Sequence, residues 1–326
     1  MRFSVIVPLY NKAPYVEKAL RSVLGQTFTD FELVVVDDGS KDGSAEIAER
    51  LLAGQKSAGI PFRLIRQANA GVSTARNNGV AASQGEYVCF LDADDWWDVS
   101  FLEKMDELIR EYPQAGLYCT NFYYVHKGKN MVKLDIPAGY INYCREYARS
   151  MCMIASSSSS CMRRAIFDEL GGFKPILKLG EDFDLWVRVA LKYGTAFTNT
   201  PLAYFNNDLP ASHRATHHLH KPEHHMLWNL DYLEAEEKTN PDFKRLMDNL
   251  RVRGLQGHFL SHEYHEAAKE QLAKVDWSRQ PKKWQQYYRL PLWYLRTKRR
   301  FLTLCVSIKQ RIMLLKGLAI ECFIIL

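Results

Sequence analysis

The chain has 326 residues, 47% apolar and 25% charged, an ordinary globular composition long enough for one large or two modest domains with a sizeable core. Its formal charge of +6 is unevenly placed: residues 277 to 320 hold eleven Lys or Arg and no Asp or Glu, so the remainder is net acidic and a uniformly basic nucleic-acid binder is disfavoured. The seven cysteines are odd in number and lack any C-x-x-C pair, which indicates neither a zinc site nor a disulfide framework and fits a reducing cytosol.

In chain order, strand-like runs near 3–8, 31–36, 62–66 and 86–91 alternate with helical patterns near 14–24, 43–53 and 72–83. The alternation predicts βαβ units and a mostly parallel sheet, with Pro14 in a first helical turn. The N-terminal run Phe3 to Pro8 lacks the charged region and long apolar core of a signal peptide, so this part is expected to stay in the cytoplasm. A helix is expected from about 98 to Tyr112, strands at 117–125 and 153–162, and a helix after Asp182. Beyond Pro222 the pattern is helical, which places the expected domains at 1–215, dividing near 95, and at 216–326.

Open parallel sheets bind ligands beyond the carboxyl ends of their strands, and two aspartate clusters fall there. The first is Asp37-Asp38-Gly39-Ser40, where a carboxylate can accept from a ring N–H such as that of uracil, or cap the helix near 43. The second, FLDADDWWD, sets Asp92, Asp94, Asp95 and Asp98 directly after an apolar run. Like charges so close need a compensating cation or donors. Asp95 and Asp98 suit a helix start, but Asp92 and Asp94 do not, and a D-x-D turn can offer two carboxylates to magnesium or manganese together with phosphate oxygens. That chemistry points to a nucleoside diphosphate.

Five segments in order resemble the motif series of the family 2 inverting glycosyltransferases, which have the GT-A fold. They are Ser4 to Asn11 (SVIVPLYN), Val36 to Ser44 (VDDGSKDGS), Asn69 to Gly79 (NAGVSTARNNG), Phe90 to Asp95 (FLDADD), and Gly171-Gly172-Phe173 followed by Gly180 to Trp186 (GEDFDLW). The resemblance covers about residues 1–210. It implies a nucleotide-binding half, an acceptor-binding half, a nucleotide-sugar donor, read as a UDP-sugar, and a divalent cation, Mn2+ or Mg2+. Carried over motif by motif, Pro8, Tyr10 and Asn11 line the nucleoside pocket, and Asp38 takes the base N–H with Asp37 beside it. Asn69 and Arg76 lie near the base and the donor sugar or diphosphate. Asp92, Ala93 and Asp94 form the metal and ribose turn, with Asp94 the direct ligand. Asp182 is the implied base on the acceptor hydroxyl, and Glu181 orients the acceptor or its loop. The plain alternatives are helix N-terminal charges for Glu181 and Asp182 and a salt-bridging residue on a helix for Arg76.

Other segments carry two readings each. Ser156 to Ser160 either leaves room for an acceptor sugar or packs as a strand, and His213 with His217, four apart, either serves the diphosphate or metal or sits in a solvated loop. Residues 301–326 are apolar but interrupted by Lys309, Arg311, Lys316 and Glu321, which argues against a simple span. With the basic and aromatic residues from 284 onward they read as an interfacial anchor for anionic lipid, or as a helix packing on the protein or a second subunit. The expected function is transfer of a sugar to a polysaccharide, lipopolysaccharide or lipid-linked acceptor at the inner face of the cytoplasmic membrane. A non-catalytic assembly subunit and a sugar nucleotidyltransferase are the alternatives; oligomerisation stays open.

Overall fold

The computed structural model describes residues 1–54, 59–132, 134–209 and 218–301. These form two compact units, Met1–Met247 and the chain from Asp248 onward. The first unit therefore extends well past the 215/216 division expected from composition. The reason is local: residues 222–229 bond the loop before Glu181, with His224 O accepting from Lys178 N–H at 2.9 Å and Leu179 O from Met226 N–H at 3.2 Å.

The first unit starts with β1 (Phe3–Leu9), α1 (Val16–Leu24), β2 (Phe31–Asp37), α2 (Ser44–Ala53), β3 (Phe62–Arg66), α3 (Val72–Ala81) and β4 (Tyr87–Phe90). Every residue of β1, β2 and β4 is buried, which is why these strands read as unbroken apolar runs rather than alternating ones. Helix α1 buries Val16, Ala19, Leu20 and Val23, one stripe at helical spacing, while Pro14 lies in the turn before it. Each such fully buried aliphatic side chain is worth about 1.5–3 kcal/mol over its exposed state.

The chain continues through β5 (Trp96–Trp97), α4 (Phe101–Glu111), β6 (Leu117–His126), β7 (Lys129–Val132), β8 (Gly139–Ile141), α5 (Tyr143–Ser150), β9 (Ser160–Arg163), α6 (Arg164–Leu170), α7 (Glu181–Tyr193) and β10 (Thr195–Asn206). All strands join one sheet whose main path is β3-β2-β1-β4-β9-β6-β10-β5. The pairs β3-β2, β2-β1 and β1-β4 are parallel, as are β6 and β10, whereas β9 runs antiparallel to both of its neighbours. Connections from β1 lead first to β2 on one side and later to β4 on the other, so the strand order reverses at β1. At such a reversal the loops leaving adjacent strand ends diverge and open a crevice.

Two elements differ from the sequence reading. The strand expected over 153–162 shortens to β9, because Ser156 and Ser159 bond each other (Ser156 Oγ to Ser159 Oγ 3.0 Å; Ser156 N–H to Ser159 Oγ 3.1 Å) and close a 3-10 turn over Ser157–Ser159. The long β10 has no clean alternation: it holds Pro201 and its pairing with β6 slips between Thr198, Pro201 and Ala203, a bulge that accommodates the missing N–H.

Helices α8 (Glu234–Thr239), α9 (Pro241–Gly254), α10 (Gln256–Leu260), α11 (His265–Ala273) and α12 (Lys282–Arg289) follow, α9 running across the division between the units. Among the described residues no helix is long and apolar enough to cross a membrane.

Gly79 sets how closely α3 approaches the sheet, since a Cβ there would stand 2.4 Å from Ile6 Cγ2. Gly79→Ala is expected to lower stability by about 1–3 kcal/mol through this overpacking, read as a shift of the urea midpoint at unchanged slope.

Candidate functional site

The site is assembled at the carboxyl ends of β1, β2 and β4. Beyond β1, Asn11 takes a left-handed conformation (φ 51°), which Asn tolerates, and its side-chain oxygen accepts from Lys41 N–H at 2.8 Å while its own N–H donates to Ser40 Oγ at 3.1 Å. This ties the β1 loop to the Asp37–Ser40 turn. Pro8 is buried within β1 opposite Val36, and Tyr10 is exposed just past the strand.

Asp37 and Asp38 are both buried. Asp37 Oδ1 closes its own turn by accepting from Ser40 N–H at 3.1 Å. Asp38 holds the loop that carries Asn69: Oδ1 accepts from Gln67 Nε2 and Ala70 N–H, and Oδ2 from Gly71 N–H, each at 2.8 Å. An ionised carboxylate accepts about four hydrogen bonds, so Oδ2 retains a lone pair for a further donor. Asn69 itself is exposed.

Beyond β4, the four carboxylates of the FLDADDWWD stretch separate into distinct environments. Asp98 Oδ1 accepts from Ser100 N–H and Oγ at the start of α4. Asp95 is buried, accepting from Ser158 Oγ at 2.6 Å and from Asn206 N–H at 2.9 Å, and burial pushes its carboxyl well above the ordinary range. Ser158 Oγ also accepts from Asp92 N–H at 3.1 Å, so the serine run braces the aspartate turn. Ala93 is buried between the two acids that face outward, Asp92 and Asp94.

Positive charge reaches both of these acids. Lys12 Nζ lies 2.5 Å from Asp94 Oδ2, joining the loops after the adjacent strands β1 and β4. Burial raises the Asp94 carboxyl and the ammonium opposes that shift. Arg76, on α3 and only 3% exposed, donates to Asp92 Oδ1 at 2.7 Å and to Glu181 Oε1 at 3.1 Å. Burial works against its charge, but Asp92 and Glu181 outweigh it and hold the guanidinium charged.

Helix α7 begins at Gly180, whose φ of +80° and close approach to Met226 exclude a side chain: a Cβ would lie 2.4 Å from the sulfur. Its first turn carries three acids with different partners. Asp184 is fully buried, paired with Arg188 at 2.7 Å and Lys174 at 2.9 Å, and accepts from Tyr232 Oη at 2.7 Å. Glu181 is taken by Arg76. Among the described residues Asp182 accepts a single hydrogen bond, from the N–H of the adjacent Phe183. Burial, then the neighbouring Glu181 carboxylate, push Asp182 up to about 7, against the pull of Arg76. Among the described residues the buried Tyr143 hydroxyl has no hydrogen-bond partner; burial raises its pKa, and Tyr147, Cys119 and Asp182 add to the shift.

The structure thus brings Asp92, Glu181 and Asp182 around the Arg76 guanidinium, while Asp94 of the same turn pairs with Lys12. Sequence reading missed Lys12, Ser158 and the locking role of Asp184. Their signals were weak, since a lysine after YN, one serine in a run of five and a second Asp in GEDFD are distinguished only by what lies opposite in space. His213 and His217 lie outside the described residues. Among the described residues no three His, Cys, Asp or Glu side chains gather into a metal cage.

The fold is GT-A, and the chain belongs to glycosyl transferase family 2, whose model matches residues 4–171. It is 39% identical over 137 residues to the glycosyltransferase GlyA of Streptococcus pneumoniae serotype 4, a stretch that covers 41% of this chain and 19% of that protein. It spans only a minor part of the curated relatives' length. The crystal structure of S. aureus TarS 1–349 in complex with UDP-GlcNAc shares the fold with TM-score 0.57 and 21% identity, over 84% of this chain and 71% of that one. The mannosyltransferase PcManGT from Pyrobaculum calidifontis, solved with GDP-Man and Mn2+, matches at TM-score 0.50 and 18% identity, over 86% and 88% of the two chains.

Two measurements probe this cluster. Asp182 is protonated in the folded protein up to about pH 7 and only to about 3.9 when unfolded, so the stability it contributes is present below pH 4 and lost as pH rises through 7. Asp182→Asn is therefore expected to raise Tm over wild type by an amount that grows from pH 4 to 7 and then levels. Arg76→Gln should lower stability by up to about 3 kcal/mol, because two partly buried carboxylates lose their counter-charge, and should move the Asp182 titration, followed by NMR, to higher pH.

Proposed function

We propose that this protein is an inverting glycosyltransferase that moves a sugar from a UDP-sugar to a hydroxyl of a glycan or glycolipid acceptor. The observation that carries this reading is the Arg76 bridge: one buried guanidinium links Asp92, on the donor side, to Glu181, next to the one acid of the α7 turn left without a cationic partner.

In this reading the uridine lies over the β1 and β3 ends, beside Tyr10, Asn11 and Asn69, with the free lone pair of Asp38 Oδ2 accepting the base N–H. Asp92 and Asp94, set by Ala93, would hold a divalent cation. Burial, and after it the neighbouring Asp92 carboxylate, raise Asp94, and two hard carboxylates that already draw a lysine and an arginine fit such an ion. Mg2+ and Mn2+ commonly take one or two carboxylates and complete their shell from phosphate and water, which agrees with the absence of a cage among the described residues. When bound, the ion neutralises charge on the departing diphosphate.

Asp182 accepts the proton of the acceptor hydroxyl; the oxygen lone pair forms the new bond at the anomeric carbon, and the pair of the breaking C–O bond leaves with the diphosphate. A carboxylate with a pKa near 7 is matched to proton abstraction at neutral pH, which an ordinary Asp is not. Glu181 holds Arg76, and Arg76 keeps Asp182 low enough to ionise. TarS and PcManGT, with UDP-GlcNAc and with GDP-Man and Mn2+, support a nucleotide-sugar donor and a divalent cation for this fold.

We place the enzyme as a peripheral protein at the inner face of the cytoplasmic membrane, working on surface polysaccharide, lipopolysaccharide or a lipid-linked acceptor. The contact region is 284–326, of which 284–301 is described. Supporting this, Trp293 is 69% and Phe301 64% exposed among Arg289, Lys298 and Arg300. Aromatic side chains beside basic ones suit the interface of an anionic bilayer.

In a donor panel of UDP-Glc, UDP-Gal, UDP-GlcNAc and GDP-Man with Mn2+, read as nucleoside diphosphate release, wild type should prefer a uridine donor. Asp94→Ala and Asp182→Asn should each lose at least about a hundredfold in rate. Full transfer by Asp182→Asn refutes the base assignment. Where activity survives, kcat/KM should rise with pH through about 7. In liposome flotation, Trp293→Ala with Phe301→Ala should lose binding to anionic vesicles, and unchanged flotation would remove the membrane contact.

A further inference from the structure

The second unit contains a cavity of about 490 Å3, within the range of about 300–1,000 Å3 typical of small-molecule sites. Its lining residues fall between 259 and 292, all in the second unit. Its walls are apolar and aromatic: Phe259, Leu272, Ala273, Trp277, Tyr288 and Leu292. The rings are fixed edge to face, with Phe259 and Tyr288 centroids 4.9 Å apart and Trp277 and Tyr288 5.5 Å apart, so the space is framed by rings held in place.

The polar groups of the lining are turned to the protein itself. Tyr288 Oη donates to Val252 O at 2.7 Å, Gln285 Nε2 to Gln280 O at 2.9 Å, and His265 Nδ1 contacts Phe259 O at 2.5 Å. Lys269 is neutralised by Glu266 at 2.9 Å. Arg289 differs: it is exposed, lines the cavity, and has no acidic partner among the described residues. No Asp or Glu is among the lining residues. An apolar chamber with one uncompensated cation selects a molecule with an apolar body and a single anionic head. The residues directly after it, Leu290 and the exposed Trp293 and Tyr294, supply the surface from which such a molecule would enter.

We propose that this cavity binds one anionic amphiphile, its hydrocarbon chain among Phe259, Leu272, Trp277 and Leu292 and its phosphate or carboxylate head at Arg289. The site deepens the membrane contact proposed above: it would extract or hold a single lipid where the surface merely adheres. It is independent of the donor and of Asp182.

The test is calorimetric titration of the full-length protein with monomeric lysolipid below its micelle concentration. Lysophosphatidylglycerol should bind at one per chain and about threefold to fivefold more tightly than lysophosphatidylcholine, the increment of one solvent-facing charge pair. Glycerol phosphate and inorganic phosphate, heads without a chain, should not bind detectably. Ala273→Phe, which brings a ring into the cavity from an exposed position, should weaken lysophosphatidylglycerol at least tenfold. If that variant shows a lowered Tm, Arg289→Gln, also at an exposed position, decides: it should erase the preference between the two lysolipids. Absence of lysolipid binding, undiminished binding by a well-folded Ala273→Phe, a retained preference in Arg289→Gln, or equal binding of phosphate alone would each overturn the proposal. Flotation on anionic vesicles that persists while lysolipid binding is absent leaves the surface contact standing and removes the cavity site.

Discussion

A guanidinium that is 3% exposed must be held by acids, and Arg76 is held by two that lie far apart in the chain, Asp92 after β4 and Glu181 at the start of α7. Because leaving a charge buried and unpaired costs several kcal/mol, the three side chains constrain one another's positions. The aspartate turn cannot drift from the α7 turn without stranding Arg76. Asp182 inherits its environment from this clamp: Glu181 and burial raise it, and Arg76 restrains the rise. The rest of the site is built to keep the clamp in register, with Ser158 bracing the Asp92–Asp95 turn and Asp184 tying α7 to Arg188 and Lys174.

The acidic crowding after β4 is resolved by division of labour. Asp98 serves a helix start and Asp95 is buried on Ser158 and the Asn206 N–H, so only Asp92 and Asp94 face the crevice. Each of these has a basic side chain at hydrogen-bond distance, Arg76 for one and Lys12 for the other. The same economy appears at Asp38, where three donors from the 67–71 loop consume most of the carboxylate's capacity and leave one lone pair over.

Much of this was legible in the chain. Three of the four parallel strands, β1, β2 and β4, were visible as unbroken apolar runs because both of their faces are buried, and α1 as a stripe at 3.6-residue spacing. The acids stood out because clustered carboxylates after a buried strand are costly without a function. Less legible was the second half of the first unit. β10 hides behind a proline and a register slip, and the serine run reads as strand although its hydroxyls bond locally and form a turn. Residues 222–229 look like the beginning of a separate helical region, yet they cover the loop before Glu181, and Gly180 has no side chain because Met226 lies against it.

By itself the sequence determined the family motif series, the parallel half of the sheet and the identity of the acids, since these follow from local periodicity and from charge patterns a few residues long. Only the tertiary structure decided which acid is free. Glu181, Asp182 and Asp184 are equivalent as letters in a helix start; they differ because Arg76, ~100 residues earlier, reaches one, Arg188 and Lys174 take another, and the third is left with a neighbouring N–H. Partners that distant in sequence are set by packing, and packing is what gives three like carboxylates different surroundings: one clamped by Arg76, one locked by Arg188 and Lys174, and one whose proton affinity burial raises.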